Sequence, residues 1–259
     1  MVASRGFVSE DLWVEHDGKR VYGKLYLPER LGDGARIPAV ICSHFFGGTH
    51  RTSAVWARLM ARAGFASYAF DFCGGSPKSL STGATTECSI VTEAEDLSAI
   101  LDTIKALDVV DSASVFLLGQ SQGGAVSSMV AAARPNDIAG LILLYPAFII
   151  HDDAVRRFGS AENVPETYEM WHELGRVYAV DAMDYDFFEH IGDFTGPVLM
   201  FQGTADDMEP PAYTDRAAEL FADVDYEHIE GAGHEFAGDD RAHVAERIVA
   251  FVKAHTHRA

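Results

Sequence analysis

Apolar and polar positions first alternate along this chain and then gather into blocks. Between Asp11 and Pro28 the runs DLWVEH and RVYGKLYLP alternate around Asp17-Gly18, which predicts a half-exposed antiparallel hairpin closed by a tight turn. Five continuous apolar runs follow: IPAVICS (37–43), ASYAFDF (66–72), ASVFLLG (113–119), AGLILLY (139–145) and GPVLMFQG (196–203). Strands apolar at every position have both faces covered, as in a parallel sheet. Helical spacing fills the intervals at 53–63, 92–107, 122–133, 212–221 and 241–255. The alternation predicts an α/β fold with a mostly parallel, doubly wound sheet and right-handed crossovers.

One interval breaks this rhythm. From Pro146 to Asp193 the chain runs far longer than a single crossover needs, and it carries eight aromatics: Phe148, Phe158, Tyr168, Trp171, Tyr178, Tyr185, Phe187 and Phe188. The expected division is a core of residues 1–146 and 194–259 with an inserted lid at 147–193, its aromatics forming the walls of a substrate pocket.

The strongest chemical signal is Gly119-Gln120-Ser121-Gln122-Gly123-Gly124, which follows the strand ASVFLL and precedes the helical run AVSSMVAAA. A strand-to-helix turn this sharp strains its central residue, and small neighbours on either side relieve the crowding. Ser121 is therefore the candidate nucleophile. A serine hydroxyl needs a base, and the base needs an orienting acid. Asp206 follows the strand GPVLMFQG, and His234 lies in the small-residue turn after DYEHIE, so acid and base appear in the order this fold demands. Asp207 is the rival acid. Of the other histidines, His228 lies within a strand pattern, His243, His255 and His257 lie in the terminal helix or tail, and His172 and His190 lie in the insertion. A developing oxyanion needs two backbone N–H donors; Gln122 supplies one at the first turn of its helix, and the loop Ser43-His44-Phe45-Phe46-Gly47-Gly48 supplies the other.

Composition narrows the partners. Twenty Lys+Arg against 39 Asp+Glu leave a formal charge of −19, which disfavours nucleic acid and anionic membranes. Three cysteines, Cys42, Cys73 and Cys88, show no C-x-x-C spacing, and the absence of an N-terminal apolar run or an 18-residue apolar stretch points to a soluble, cytoplasmic protein. No phosphate loop, dinucleotide fingerprint or H-E-x-x-H is present, so neither cofactor nor metal is expected. A homodimer is left open.

The motifs SHFFGGTHR, FDFCGGSPKS, TECSIVTEAEDL, GQSQGG, GTADD and EGAGHEF together resemble bacterial cinnamoyl (feruloyl) esterases, α/β-hydrolases with an inserted lid. The resemblance runs over almost the whole chain. It implies hydrolysis of hydroxycinnamate esters (feruloyl, caffeoyl, p-coumaroyl) through an acyl-enzyme, with the triad Ser121, His234 and Asp206. It also implies Phe46 and Gln122 as oxyanion donors and Asp153 and Tyr178 as contacts for the phenolic end. Without the resemblance, those last two fit an exposed helix-capping carboxylate and a packed aromatic equally well. Two departures stand out: Phe45 occupies the family's usual glycine, which predicts a strained or reshaped loop, and Gln202 replaces a common histidine with no expected effect on mechanism. The alternatives are a short-chain carboxylesterase, a lipase- or peptidase-like serine hydrolase, or a receptor for small molecules built on the same fold.

Overall fold

The hairpin forms as β1 (Phe7–His16) and β2 (Lys19–Pro28), turning at Asp17 and Gly18, both with positive φ. The computed structural model describes residues 6–32 and 34–256, so His257 lies outside the described residues. Then come β3 (Ile37–Ser43), α1 (His50–Ala63), β4 (Ala66–Phe70), α2 (Ile90–Lys105), β5 (Val110–Gln120), α3 (Gln122–Ala133) and β6 (Gly140–Leu144). After the long interval the pattern resumes with β9 (Val198–Gly203), α7 (Pro211–Ala218), β10 (Val224–Ile229) and α8 (Gly238–His255). Helices α1 and α2 start a few residues before their periodic segments because Thr49 and Ser89 cap them, each side chain accepting from a first-turn amide.

The eight-stranded sheet has the order β1-β2-β4-β3-β5-β6-β9-β10, antiparallel at β1-β2 and β2-β4 and parallel from β4 onward. The central strands β3, β4, β5, β6 and β9 are buried on both faces over most of their length, and the period of two decides which residue meets which layer. Ile41, Leu117, Leu143 and Met200 pack on the side of α2 and α3, whereas Cys42, Leu118, Leu144 and Phe201 pack on the side of α1 and α8. All three cysteines are free and buried. Among the described residues no helix is long and apolar enough to cross a membrane.

From β3 the chain moves outward to β4 and then returns past β3 to β5, so the order reverses between β3 and β5. Such a switch point opens a crevice at the carboxyl ends of the strands. The loop after β3 and the turn after β5 face each other there.

The interval between β6 and β9 holds α4 (Ile150–Phe158), a two-stranded sheet of β7 (Thr167–Glu169) and β8 (Glu173–Gly175), α5 (Arg176–Asp184) and α6 (Phe187–His190). Its aromatics divide in a way their number did not foretell. Phe148 and Phe187 are buried in the main core, with Tyr185 and Phe188 packed against it. Phe158, Tyr168 and Tyr178 join Phe46 in a separate small cluster, and Trp171 is 65% exposed. The expectation of eight pocket-wall aromatics is therefore corrected to three, because both ends of the interval are rooted in the sheet's own core.

Candidate active site

Ser121 sits at φ 50°, ψ −121°, between the end of β5 and the first residue of α3. This is a costly conformation for a residue with a side chain, about 1–3 kcal/mol. It persists because the surroundings leave no other path. A Cβ on Gly119 would lie 2.2 Å from the carbonyl oxygen of Gly123, and one on Gly123 would lie 2.4 Å from that of His44. The turn is held by the Ser121 amide donating to Leu144 at 2.9 Å and by the Ala147 amide donating to the Ser121 carbonyl at 3.0 Å.

The Ser121 hydroxyl donates to Nε2 of His234 at 3.0 Å, and Nδ1 of His234 donates to Oδ2 of Asp206 at 2.9 Å. Asp206 enters from the loop after β9 and His234 from the loop after β10. Asp207 is exposed and takes no part in this chain of bonds. Burial pushes the Asp206 carboxyl upward, but the bonds from His234 and from the amides of Glu209 and Met208 outweigh it and hold the carboxyl below its usual range. The ring of Tyr145, itself at φ 41°, packs against the His234 imidazole at 4.8 Å.

Gln202 lies closer to the site than the sequence indicates. Its Nε2 donates to Oδ2 of Asp206 and to the carbonyl of Glu209, both at 2.9 Å, so the substituted position touches the carboxylate that orients His234. The reason is that β9 ends one residue after Gln202 and the loop folds back over it.

The other expected donor loop is built around His44. Its Nδ1 donates to the Phe45 carbonyl at 2.7 Å and its Nε2 accepts from the Phe72 amide at 3.2 Å, a neutral tautomer that burial favours. The Gly48 amide closes a turn on the Phe45 carbonyl at 2.9 Å. Phe45 is not among the residues with positive φ, so the predicted strain at this position is absent: the loop does not require glycine there. Among the described residues, no carbonyl or side chain accepts from the amides of Phe46 and Gln122. The Phe46 ring stacks on His172, with centroids 4.9 Å apart.

Asp153 and Tyr178 line the same cavity, about 390 Å³, between α4, the β7-β8 hairpin and α5, together with Phe158 and Tyr168. They meet it differently. Asp153 is half exposed and pairs with Arg156 at 2.5 Å. Tyr178 is buried, and its hydroxyl donates to Oε1 of Gln122 at 2.5 Å, linking the cavity wall to the turn that carries Ser121.

Two buried acids went unnoticed as site residues. Glu93 on α2 accepts from Nε2 of Gln122 at 2.8 Å, and Glu209 is buried beside Asp206 with its Oε2 unpartnered. Burial pushes both carboxyls up, Glu93 to about 8 and Glu209 well above the usual carboxylate range. A signal existed for Glu93: with Leu97, Ile100 and Ile104 it falls on the apolar stripe of α2, where a carboxylate needs a reason. A carboxyl whose pKa is raised on folding binds a proton that the unfolded chain releases, so stability falls as pH rises between 4.5 and about 8. The melting temperature of Glu93→Gln should accordingly match wild type near pH 4.5 and exceed it progressively toward pH 8. A constant difference across that range would show that Glu93 does not titrate there.

Residues 36–177 match the family model for serine aminopeptidase, S33. The chain belongs to this family of α/β hydrolases. An uncharacterized Mycobacterium tuberculosis protein, Rv2307c, is 28% identical over 229 residues, 86% of this chain and 72% of that protein. In structure the family member is similar to Est1E from Butyrivibrio proteoclasticus, described with ferulic acid bound: TM-score 0.85, 23% identity, 94% of this chain and 98% of that one. It is also similar to a monoacylglycerol lipase from Paleococcus ferrophilus, at TM-score 0.68, 20% identity, 91% of this chain and 99% of the other. At these identities the two structures speak for the shared fold.

Proposed function

We propose that this hydrolase is a serine esterase that cleaves esters of hydroxycinnamic acids through an acyl-enzyme. The observation that carries the reading is the unbroken relay from the Ser121 hydroxyl through His234 to Asp206, at 3.0 and 2.9 Å. Ser121 attacks the ester carbonyl while His234 takes its proton, and His234 returns that proton to the departing alcohol. The amides of Phe46 and Gln122 take up the charge on the carbonyl oxygen. Water then repeats the sequence on the acyl-enzyme. Residues 147–193 act as the lid of the core formed by 1–146 and 194–259.

The acyl group lies in the cavity walled by Phe158, Tyr168 and Tyr178, whose volume falls within the ~300–1,000 Å³ of ligand pockets. Flat aromatic walls suit a planar aryl acid, and the ferulic acid bound to Est1E supports this choice. Asp153 at the open side meets the ring hydroxyl. A fluorophosphonate should label Ser121 stoichiometrically, located by peptide mass spectrometry. Across methyl ferulate, chlorogenate, short alkyl esters and peptides, kcat/KM should be highest for the aryl esters. Equal rates on acetate esters would favour the short-chain carboxylesterase reading, and labelling elsewhere would overturn the nucleophile. In Asp153→Ala the preference for p-coumarate over unsubstituted cinnamate esters should shrink by roughly tenfold, the equivalent of one hydrogen bond.

A further inference from the structure

Gln122 follows the nucleophile and opens α3, and its amide is one of the two proposed to meet the oxyanion. The residue is only 3% exposed, so its side chain is shielded from solvent. A carboxamide has two ends of nearly equal size, so packing alone does not decide which way it faces; its hydrogen-bond partners do. On one side stands Glu93, 1% exposed, whose Oε2 accepts from Nε2 at 2.8 Å. That leaves Oε1 to accept from the Tyr178 hydroxyl at 2.5 Å. Three elements of separate origin, α2, α3 and α5, thus meet in one short chain of bonds.

Glu93 has little freedom of its own. Its Oε1 accepts from the Cys88 thiol at 3.5 Å, and a Cβ on Gly75, in the loop after β4, would stand 3.2 Å from the same oxygen. The main chain of Gln122 is hemmed in from the opposite side, where Gly123 lies against the His44 carbonyl. Burying a carboxyl and an amide where two leucines would fit costs free energy unless both are satisfied, and a satisfied buried network specifies position.

Building on the esterase reading, we propose that Glu93 is a positioning residue for the hydrolytic step. It fixes the Gln122 side chain, thereby holds the Gln122 backbone amide toward the developing oxyanion, and ties that amide to the insertion through Tyr178. An interaction that acts through the oxyanion is realised in the transition state rather than in the bound substrate. Its loss therefore lowers kcat and leaves KM nearly unchanged.

The test uses the full chain with a p-nitrophenyl ester and with an aryl trifluoromethyl ketone as transition-state analogue. Glu93→Leu should lower kcat roughly tenfold, less than the 10²–10³ for deleting an oxyanion donor because the amide is displaced and not removed. Affinity for the ketone should fall by the same factor. Glu93→Gln, which keeps an acceptor facing Gln122, should recover most of the loss. Should Glu93→Leu fail to fold, Gln122→Met, which keeps the backbone amide and deletes both side-chain bonds, must show the same split between kcat and KM. Wild-type kcat and ketone affinity in a folded Glu93→Leu or Gln122→Met would overturn the proposal, as would a Glu93→Gln enzyme as impaired as Glu93→Leu. Ser121→Ala run in parallel separates the two levels: if it retains turnover the esterase reading fails, and if it is inactive while Glu93→Leu is normal only the positioning role fails.

Discussion

Ser121→Ala should cut kcat for aryl ester hydrolysis by about 10³-fold or more, with the melting temperature little changed. The hydroxyl removed is the one that donates to His234 at 3.0 Å, and among the described residues no other hydroxyl or thiol bonds to that imidazole. Removing one member of a cooperating triad costs nearly as much as removing all three, because the base then has no proton to take. Stability is preserved because the strain at φ 50° is set by the backbone around the turn, and alanine adds no atom that serine lacks. Burst kinetics on purified enzyme give the readout. Turnover within tenfold of wild type would remove Ser121 from the reaction.

Asp206→Asn should cost about 10³–10⁴ in kcat, whereas Asp207→Asn should stay within about twofold. The asymmetry follows from the donors around the carboxylate. Oδ1 of Asp206 accepts from the amides of Met208 and Glu209 at 3.0 and 2.9 Å, and Oδ2 accepts from His234 Nδ1 and Gln202 Nε2, both at 2.9 Å. Asparagine offers only one acceptor oxygen. If that oxygen stays with the two backbone amides, the new NH2 faces two donors; His234 must then move its proton to Nε2, where it can no longer accept from Ser121. If the asparagine flips, the loop amides lose their acceptor and the turn loosens. Either outcome disables the base. Measuring kcat for both variants beside their melting curves separates the tautomer effect from loss of the loop. Equal kcat for the two variants would mean that the acid is not Asp206.

The Ser–His–Asp contacts were legible early because each residue is tied to a local pattern. A glycine-flanked serine between an apolar strand and a helix has few other uses, and the acid and base had only to follow later strands in order. Gln202 and Glu93 were not legible in that way. Gln202 lies within an apolar strand and reads as a tolerated replacement until the loop folds back and sets its amide on Asp206. The contacts of Glu93 that the proposal draws on come from Cys88, Gln122 and the loop at Gly75, and only the first of these is nearby in sequence. The strain expected at Phe45 failed for a related reason: the resemblance assigned a glycine to this position, but the backbone at Phe45 does not take a left-handed conformation.

The sequence by itself determined the strand and helix alternation, the hairpin and the sharp turn at Ser121. Those features depend on side-chain period and on glycine placement over a few neighbouring residues, so they are written locally. Tertiary structure alone decided how the aromatics of the long interval are shared between the core and the cavity, and which polar groups meet the triad. Period and composition say that an aromatic will be buried, but the partner that buries it is supplied by a distant part of the chain. Phe187 and Tyr178, nine positions apart, thus went to the main core and to the cavity wall.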